Sequence, residues 1–325
     1  MATVIAVEGS AYRHEGAKML IDAQGNIHGL ISGGCLEEDL VHYANEVLQS
    51  GKPKNITYDL SSEDDLGWGN GAGCNGIIYV YIEETSWNGL WEKIEQKLLS
   101  LQRVVSVTFI DGENHQKNGI YYCEDGEFLN GSDSIGQSLV AHLENSIANE
   151  KKTKMITIAN HERILIELYK PRERLYIFGA GPDTEPLVWL ASKLDFTVYL
   201  IDPRRERFEQ GSFSTAEQMI EEFPHVYLED NELHPNSYVL LMTHHFQWDQ
   251  RALKYLINKP PNYLGILGPK KRTARLLDPN PIPPWIHSPV GMDIQAEGPE
   301  EIAISICAEL IKYRNMSETK NGFKS

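Results

Sequence analysis

The chain has 325 residues, of which 41% are hydrophobic and 23% charged, and its formal net charge at pH 7 is −16. These values are typical of a globular protein of about two domains, and the acidic excess argues against a nucleic-acid partner, whose phosphates are neutralised by clustered Lys and Arg. Because no apolar run approaches the roughly 18 residues of a membrane span, no signal peptide is recognisable and the four cysteines lack paired spacing, we expect a cytoplasmic protein with free thiols and no membrane partner.

Residues 1–170 are predicted to form an α/β domain built from an internal duplication. Each copy reads as two strands, an acidic turn, a serine-led helix and two closing strands. The copies cover about residues 1–102 and 103–170, with main strands at residues 4–7, 17–21, 56–60 and 77–82 in the first and 104–110, 120–122, 155–159 and 164–169 in the second. A pattern that recurs at a long offset indicates two copies of one fold, although any two such runs would look alike.

Two cysteines of the first copy lie in glycine clusters. Cys35 follows Gly33 and Gly34, and Cys74 follows Gly73 in a run that contains three further glycines. Ordered glycine is costly in conformational entropy, so such clusters mark unusual backbone geometry or a group pressed against the main chain. Because the second copy lacks both clusters, we expect the two cysteine loops to serve chemistry in the first copy, with each thiol a candidate ligand or nucleophile. The alternative is that each is a small buried residue in a tight turn.

The charges around Cys35 bear on its chemistry. The pattern places Cys35 at or just inside a helix N-terminus, where the helix dipole favours the thiolate that binds soft metals. The acidic residues 37–39 oppose that ionisation. Arg13, His14 and Lys18 of the same copy would offset them or bind a phosphate. The other two cysteines, Cys123 and Cys307, lie in apolar patterns and are predicted to be core residues.

Residues 171–325 are predicted to form a Rossmann-like, doubly wound parallel sheet. An apolar strand runs into Gly179-Ala180-Gly181, a helix follows, and the next buried strand ends in Asp202. This is the order of a dinucleotide-binding βαβ unit, in which the acid contacts a ribose hydroxyl. Thr184 stands where the fingerprint has its third glycine. The pattern therefore predicts the fold and leaves NAD(P) binding open.

Further strands are predicted at residues 225–228, 237–243, 262–268 and 285–287, and helices at 215–223, 248–257, 270–277 and 299–314. Ligands of such sheets bind beyond the carboxyl ends of the strands. Gly268, followed by three cations from Lys270, opens a helix and predicts a phosphate site, with a solvated basic face as the alternative. Thr243 and His244 would supply polar contacts. A metal is not expected there, since adjacent histidines point to different sides.

Several motifs occur in an order that resembles the XdhC/CoxI family. They are Ser32-Gly33-Gly34-Cys35, Gly73-Cys74-Asn75-Gly76, Phe178-Gly179-Ala180-Gly181, Asp202-Pro203-Arg204 and Pro289-Val290-Gly291-Met292-Asp293. The resemblance covers nearly the whole chain. It implies a cytoplasmic accessory factor, or chaperone, that holds the molybdenum cofactor (molybdopterin), assists its sulfuration and delivers it to a xanthine dehydrogenase-type apoenzyme. The implied partners are that apoenzyme and a cysteine desulfurase, and a homo-oligomer is expected.

The resemblance and the residue patterns together predict a set of cofactor-binding residues. They are Arg13, Lys18, Gly33, Gly34, Cys35, Gly73, Cys74, Gly179, Gly181, Asp202, Thr243, His244, Gly268 and Lys270, with Cys35 and Cys74 at the molybdenum–sulfur end of the cofactor. No catalytic residue is predicted. The alternative function is an NAD(P)-dependent oxidoreductase that uses the Rossmann-like domain and a base such as His244. A purely structural interaction module is the third hypothesis.

Overall fold

The computed structural model consists of two compact units, one from Met1 to Pro171 and the other from Arg172 onwards. It describes residues 1–60, 76–111, 119–131, 136–149, 153–158 and 162–322. Within these ranges, no helix is both long enough and apolar enough to cross a lipid bilayer.

The N-terminal unit contains two antiparallel sheets with the same strand order, β3-β2-β1-β5-β4 and β8-β7-β6-β10-β9. The strands are β1 (Ala2–Gly9), β2 (Lys18–Ile21), β3 (Ile27–Gly29), β4 (Lys54–Asp59), β5 (Gly76–Ile82), β6 (Val104–Phe109), β7 (Ile120–Cys123), β8 (Phe128–Asn130), β9 (Thr153–Thr157) and β10 (Arg163–Tyr169). Each strand of the first sheet has its counterpart at the same place in the second. The predicted internal duplication is therefore confirmed.

One helix of each copy covers one face of its sheet. The helices of this unit are α1 (Glu37–Ser50), α2 (Gly89–Leu99) and α3 (Gln137–Ala148), and α2 joins the two copies. Helix α1 buries Leu40, Ala44 and Val47, whose spacing of four and three residues puts them on one side of the helix. It ends at Gly51, which takes the left-handed conformation that terminates many helices.

The uncovered faces of the two sheets meet in a small apolar core. Ile5 and Tyr81 of the first sheet pack there with Ile110 and Leu165 of the second copy, and all four side chains are buried. The two copies thus share a core in addition to the core that each forms with its own helix.

The C-terminal unit contains a six-stranded parallel sheet with the order β13-β12-β11-β14-β15-β16. The strands are β11 (Glu173–Phe178), β12 (Phe196–Ile201), β13 (Gln218–Ile220), β14 (Tyr238–Leu241), β15 (Tyr263–Ile266) and β16 (Ile286–His287). The helices are α4 (Glu185–Lys193), α5 (Arg205–Gln210), α6 (Pro224–Asp230), α7 (Phe246–Asn258), α8 (Lys270–Leu277) and α9 (Gly298–Gly322). This order is that of the Rossmann fold, as predicted.

Two neighbouring predicted elements of this unit, the helix at residues 215–223 and the strand at 225–228, are wrong. The strand expected at residues 225–228 is helix α6, and the strand β13 lies earlier, at Gln218–Ile220, inside a predicted helix. Pro224 occupies the first turn of α6, where a proline loses no hydrogen bond and favours a helix start. Strand β13 is short and lies at the sheet edge with Met219 half exposed, so it lacks the apolar run that identifies a buried strand.

Candidate functional site

The loop that carries Cys35 is closed by hydrogen bonds between Ser32 and Glu37. The Ser32 N–H donates to Glu37 Oε1 at 2.8 Å and the Ser32 hydroxyl donates to Glu37 Oε2, while Ser32 Oγ accepts from the N–H groups of Gly34 and Leu36 at 3.2 and 3.1 Å. Burial acts to raise the pKa of the Glu37 carboxyl, but the hydrogen bonds outweigh it and lower that pKa. An ionised, buried carboxylate therefore fixes the shape of the loop.

Cys35 was predicted at or just inside the N-terminus of helix α1, and it lies directly before the N-cap residue Leu36, with the helix beginning at Glu37. Its side chain is partly exposed and packs against the core of the first copy. Cys123 and Cys307 are buried, and burial raises their thiol pKa values to about 11 and about 12. Of the three cysteines that the structure describes, Cys35 is therefore the one accessible to a ligand.

Cys74 and Gly73 lie outside the described residues, so their predicted convergence with Cys35 stays a prediction. The residues that flank this segment are described. The Leu60 N–H donates to the Gly76 carbonyl oxygen at 2.9 Å. A Cβ on Gly76 would stand only 2.8 Å from the backbone of Ser10, so this position requires glycine. The two flanking residues, Leu60 and Gly76, thus lie next to each other beside the end of β1.

A cavity of about 540 Å³ lies between the two copies of the N-terminal unit. Its lining consists of Tyr12, Arg13, His14, Glu15, Gly16, Ala17 and Lys18 from the first copy and Thr153, Glu167, Leu168, Tyr169 and Lys170 from the second. The ring of Tyr12 is 4.0 Å from the place where a Cβ of Gly33 would be. The cavity wall therefore adjoins the cysteine loop, and it brings the predicted residues Arg13, Lys18 and Gly33 into one region.

The carboxylates of the cavity are engaged by the chain itself. Lys18 Nζ lies 2.8 Å from Glu167 Oε2, so this salt bridge connects the two copies. Glu15 Oε1 accepts the Val7 N–H at 3.0 Å, at a point where β1 has no strand partner on that side. The side chain of Arg13 is exposed. In a protein of net charge −16, the cavity thus presents the exposed cation Arg13, while its two carboxylates are bound by Lys18 and by the Val7 N–H.

The glycine turn after β11 is tightly enclosed in the C-terminal unit. Gly179 has φ +119, and a Cβ there would overlap the Met242 carbonyl oxygen and stand 2.8 Å from Thr243 Cα. A Cβ on Gly181 would overlap Asp183 Oδ1. Asp183 Oδ2 in turn lies 2.9 Å from His244 Nε2.

Asp202, the predicted ribose ligand, is buried beneath Arg204. Its carboxylate accepts the Ala180 N–H at 2.8 Å, the Arg204 N–H at 2.9 Å and two guanidinium N–H groups of Arg204 at 2.8 and 2.6 Å. Burial acts to raise the pKa of the Asp202 carboxyl, and the hydrogen bonds from Arg204 and Ala180 hold it below its usual range.

At the predicted phosphate site at the start of α8, one of the three cationic side chains, Arg272, forms a salt bridge within the chain. Arg272 Nη2 lies 2.6 Å from Asp249 Oδ2, and the Thr243 hydroxyl donates to Asp249 Oδ1 at 2.6 Å. Lys270 is exposed, and Gly268 has φ +107. Thr243 therefore lies in a buried network behind the turn, whereas Lys270 faces solvent.

Sequence reasoning missed four carboxylates that organise these sites, namely Glu37, Glu167, Asp183 and Asp249. Each carboxylate binds a residue that is far away in the sequence or separated from it by a number of residues that matches no known motif, so the sequence alone does not identify the pair. In the part of the chain that the structure describes, no group of three or more His, Cys, Asp or Glu residues could hold a metal ion. The predicted residues fall into an N-terminal set around Cys35 and a C-terminal set around Gly179, one in each unit.

Comparison with known proteins decides the family. The family model described as the XdhC and CoxI family matches residues 1–59, and the model described as the XdhC Rossmann domain matches residues 175–310. A protein of Bacillus subtilis named as a probable xanthine dehydrogenase subunit is 38% identical over 319 residues, which are 97% of this chain and 92% of that protein. The chain belongs to the XdhC and CoxI family. Cys35, Arg13 and Lys18 lie in the first matched range of this XdhC protein.

Two further relatives extend the comparison. A crystal structure from Bacillus halodurans, described as a xanthine dehydrogenase, is 40% identical with a TM-score of 0.84 and covers 97% of this XdhC chain and 91% of its own. The molybdenum cofactor insertion chaperone PaoD of Escherichia coli is 23% identical over 97% of this chain and 83% of its own length. The first comparison shows that a solved structure shares this two-unit chain's fold.

Proposed function

We propose that this XdhC-family protein is an accessory factor that holds the molybdenum cofactor in the N-terminal unit and delivers it to a xanthine dehydrogenase-type apoenzyme. The observation that carries the proposal is a partly exposed thiol, Cys35, on a rigid glycine loop that adjoins a cavity with cationic side chains. Two relatives, one named for xanthine dehydrogenase and the other as a molybdenum cofactor insertion chaperone, point to the same system.

The residues of the N-terminal unit suit this cofactor. A cavity of about 540 Å³ is in the range of small-molecule sites. Arg13 and Lys18 would hold the phosphate of the pterin, and Lys18 is kept in place by Glu167. Gly33 and Gly34 carry no side chain, and no atom of the described chain lies within 4 Å of the Cβ position of Gly34, so a flat ring can approach this backbone.

The thiol chemistry is consistent with a soft metal. Thiolate sulfur is the ligand type that soft metal centres prefer, and Cys35 with Cys74 would hold the molybdenum–sulfur end. When bound, the cofactor supplies the molybdenum centre and its sulfur ligands. The protein itself needs only to bind, orient and release it, so we propose a chaperone and not an enzyme that turns over a substrate. A cysteine desulfurase that supplies sulfur and the recipient apoenzyme are the proposed partners, and a homo-oligomer the proposed assembly.

The proposal is tested by purifying variants from a molybdenum-replete host and measuring bound molybdenum by mass spectrometry and bound pterin by the fluorescence of its oxidised form. Cys35→Ser should lower molybdenum per protein by roughly tenfold or more, because a hydroxyl is a poor soft-metal ligand. Arg13→Ala should lower both contents through the loss of a phosphate contact.

The matched control is Arg205→Ala, which removes an exposed arginine of the C-terminal unit and should leave both contents unchanged. If Cys35→Ser and Arg13→Ala bind metal and pterin in wild-type amounts, the cavity is not where the cofactor binds. If Cys35→Ser keeps the pterin but loses the metal, and Arg13→Ala does not show this pattern, the thiol lies at the molybdenum end of the cofactor, as proposed.

A further inference from the structure

The fold of the C-terminal unit implies a dinucleotide at the turn between β11 and α4. In Rossmann folds of this strand order, a diphosphate lies on the face of the second glycine and against the helix N-terminus, and the acid after the second strand binds the ribose. Here that face is Gly181, the helix is α4 and the acid is Asp202. The residues present can be tested against each of these contacts.

The diphosphate position is covered by a carboxylate. Asp183 Oδ1 lies within van der Waals overlap of the place where a Cβ of Gly181 would be, so the Asp183 side chain covers the second glycine. Its other oxygen is bound at 2.9 Å by His244 Nε2, and its side chain is only 18% exposed. His244 has φ +58, a left-handed backbone conformation that non-glycine residues seldom adopt. A diphosphate here would meet a fixed negative charge at close range.

The ribose contact is also unavailable. Asp202 has no exposed side-chain surface, and its two oxygens accept four N–H groups from Ala180 and Arg204. One of these donors, the Ala180 N–H, belongs to the glycine turn itself and points inward. A ribose hydroxyl would have to displace the Arg204 guanidinium, which also lies against the ring of Trp248 at 5.4 Å.

The third fingerprint position fixes the turn from within. Thr184 is completely buried, and its hydroxyl donates to the Gly179 carbonyl oxygen at 3.0 Å. The start of α4 is thereby bound to the first glycine. This bond holds the turn in the conformation in which the Asp183 side chain covers Gly181.

We infer that the anion position of this Rossmann unit is filled by the chain's own Asp183 carboxylate, and that Asp183 is the residue that prevents NAD(P) binding. The helix dipole of α4 favours an anion at this place, and Asp183 supplies it within the chain. The C-terminal unit is then a dinucleotide fold without a dinucleotide site. This inference is independent of the proposed molybdenum-cofactor function, which concerns the other unit.

The test is a gain of binding. The wild-type full chain, titrated with NADH and with NADPH and followed by nicotinamide fluorescence and by calorimetry, should show no saturable binding up to about 1 mM. Asp183→Ser, which removes the charge and opens the face of Gly181, should bind at least one of them with a Kd roughly tenfold or more below that limit. Asp183→Asn, which removes the charge and keeps the bulk, should gain less.

The matched control is Glu185→Ser. It removes a carboxylate of the same charge from the first turn of α4, but the Glu185 side chain does not cover Gly181. This variant should bind neither nucleotide. Circular dichroism and thermal unfolding establish that each variant is folded. Should Asp183→Ser fail to fold, Asp183→Asn decides: nucleotide binding that the wild type lacks supports the inference, and its absence counts against Asp183. Saturable binding by the wild type, or no gain in any folded Asp183 variant, overturns the assignment.

Discussion

Glu37 has a different role in the structure from the one that its place in the sequence suggests. From the sequence it is one of three acids at a helix start, where its charge would oppose a thiolate at Cys35. In the structure its carboxylate turns back to the Ser32 hydroxyl and N–H and holds the loop. The capping motif recognisable in a sequence has a spacing of three residues, whereas this pair is separated by five. The cluster around Cys35 was predictable from its glycines, but its support was not.

Replacing Glu37 should weaken the fold in a pH-dependent way. Glu37→Gln should lower the free energy of unfolding by about 1–3 kcal/mol at pH 7, because a charged acceptor of buried N–H and O–H groups is lost. The folded pKa of Glu37 lies below its unfolded value, so its contribution is present above the unfolded pKa and is lost as pH falls through the folded pKa. The difference between wild type and variant, measured by urea unfolding, should therefore shrink from pH 7 towards pH 4 and below.

Glu38→Gln is the control for this experiment, since Glu38 is exposed on the same turn of α1 and should change stability by less than about 0.5 kcal/mol. A Glu37→Gln difference that stays constant or grows on acidification would contradict the proposed role of the carboxylate in the loop.

At the scale of elements, apolar runs in the sequence predicted the buried strands of the parallel sheet but not the edge strand β13. Strands β14 and β15 are fully buried and β11 and β12 mostly so, and each of the four reads as a largely apolar run. Strand β13 lies at the edge and is half exposed, and its three residues carry no such signal. The glycine turn after β11 was recognisable, yet its fit against Met242 depends on a strand 60 residues away that no local pattern describes.

The turn after β11 should tolerate no side chain at its first glycine. Gly179→Ala should lower the free energy of unfolding by about 2–4 kcal/mol, because the new Cβ meets the Met242 backbone and the residue is held at φ +119. Gly89→Ala is the comparison, since Gly89 begins α2 and has open space at its Cβ position. This substitution should leave the free energy of unfolding unchanged or raise it by up to about 1 kcal/mol. Equal unfolding midpoints for the two variants in urea would show that the turn is looser than the structure indicates.

For the whole molecule, the internal duplication and the Rossmann-like parallel sheet were predictable, because a repeated pattern of strands and a regular alternation of strands and helices are both visible in the sequence. The strand order of the two antiparallel sheets was not predicted, since it pairs β1 with β5 and β6 with β10, which are remote in sequence. The cavity between the two copies was not, because its lining combines Lys18 of the first copy with Glu167 of the second, 149 residues apart. Arg13 and Lys18 were selected for their charge, and the structure adds that Lys18 has a buried partner.

The Lys18–Glu167 salt bridge should contribute more to stability than a surface pair, because Glu167 is almost fully buried. Removing the cation in Lys18→Met leaves that carboxylate without its partner and should cost more unfolding free energy than Glu167→Gln, after which Lys18, 26% exposed, still reaches water. A double-mutant cycle by urea unfolding should give a coupling of about 1 kcal/mol or more, against less than about 0.5 kcal/mol for the exposed pair Arg205–Glu209. If the effects of Lys18→Met and Glu167→Gln simply add, the salt bridge does not couple the two copies, and Glu167 does not hold Lys18 in place in the cavity.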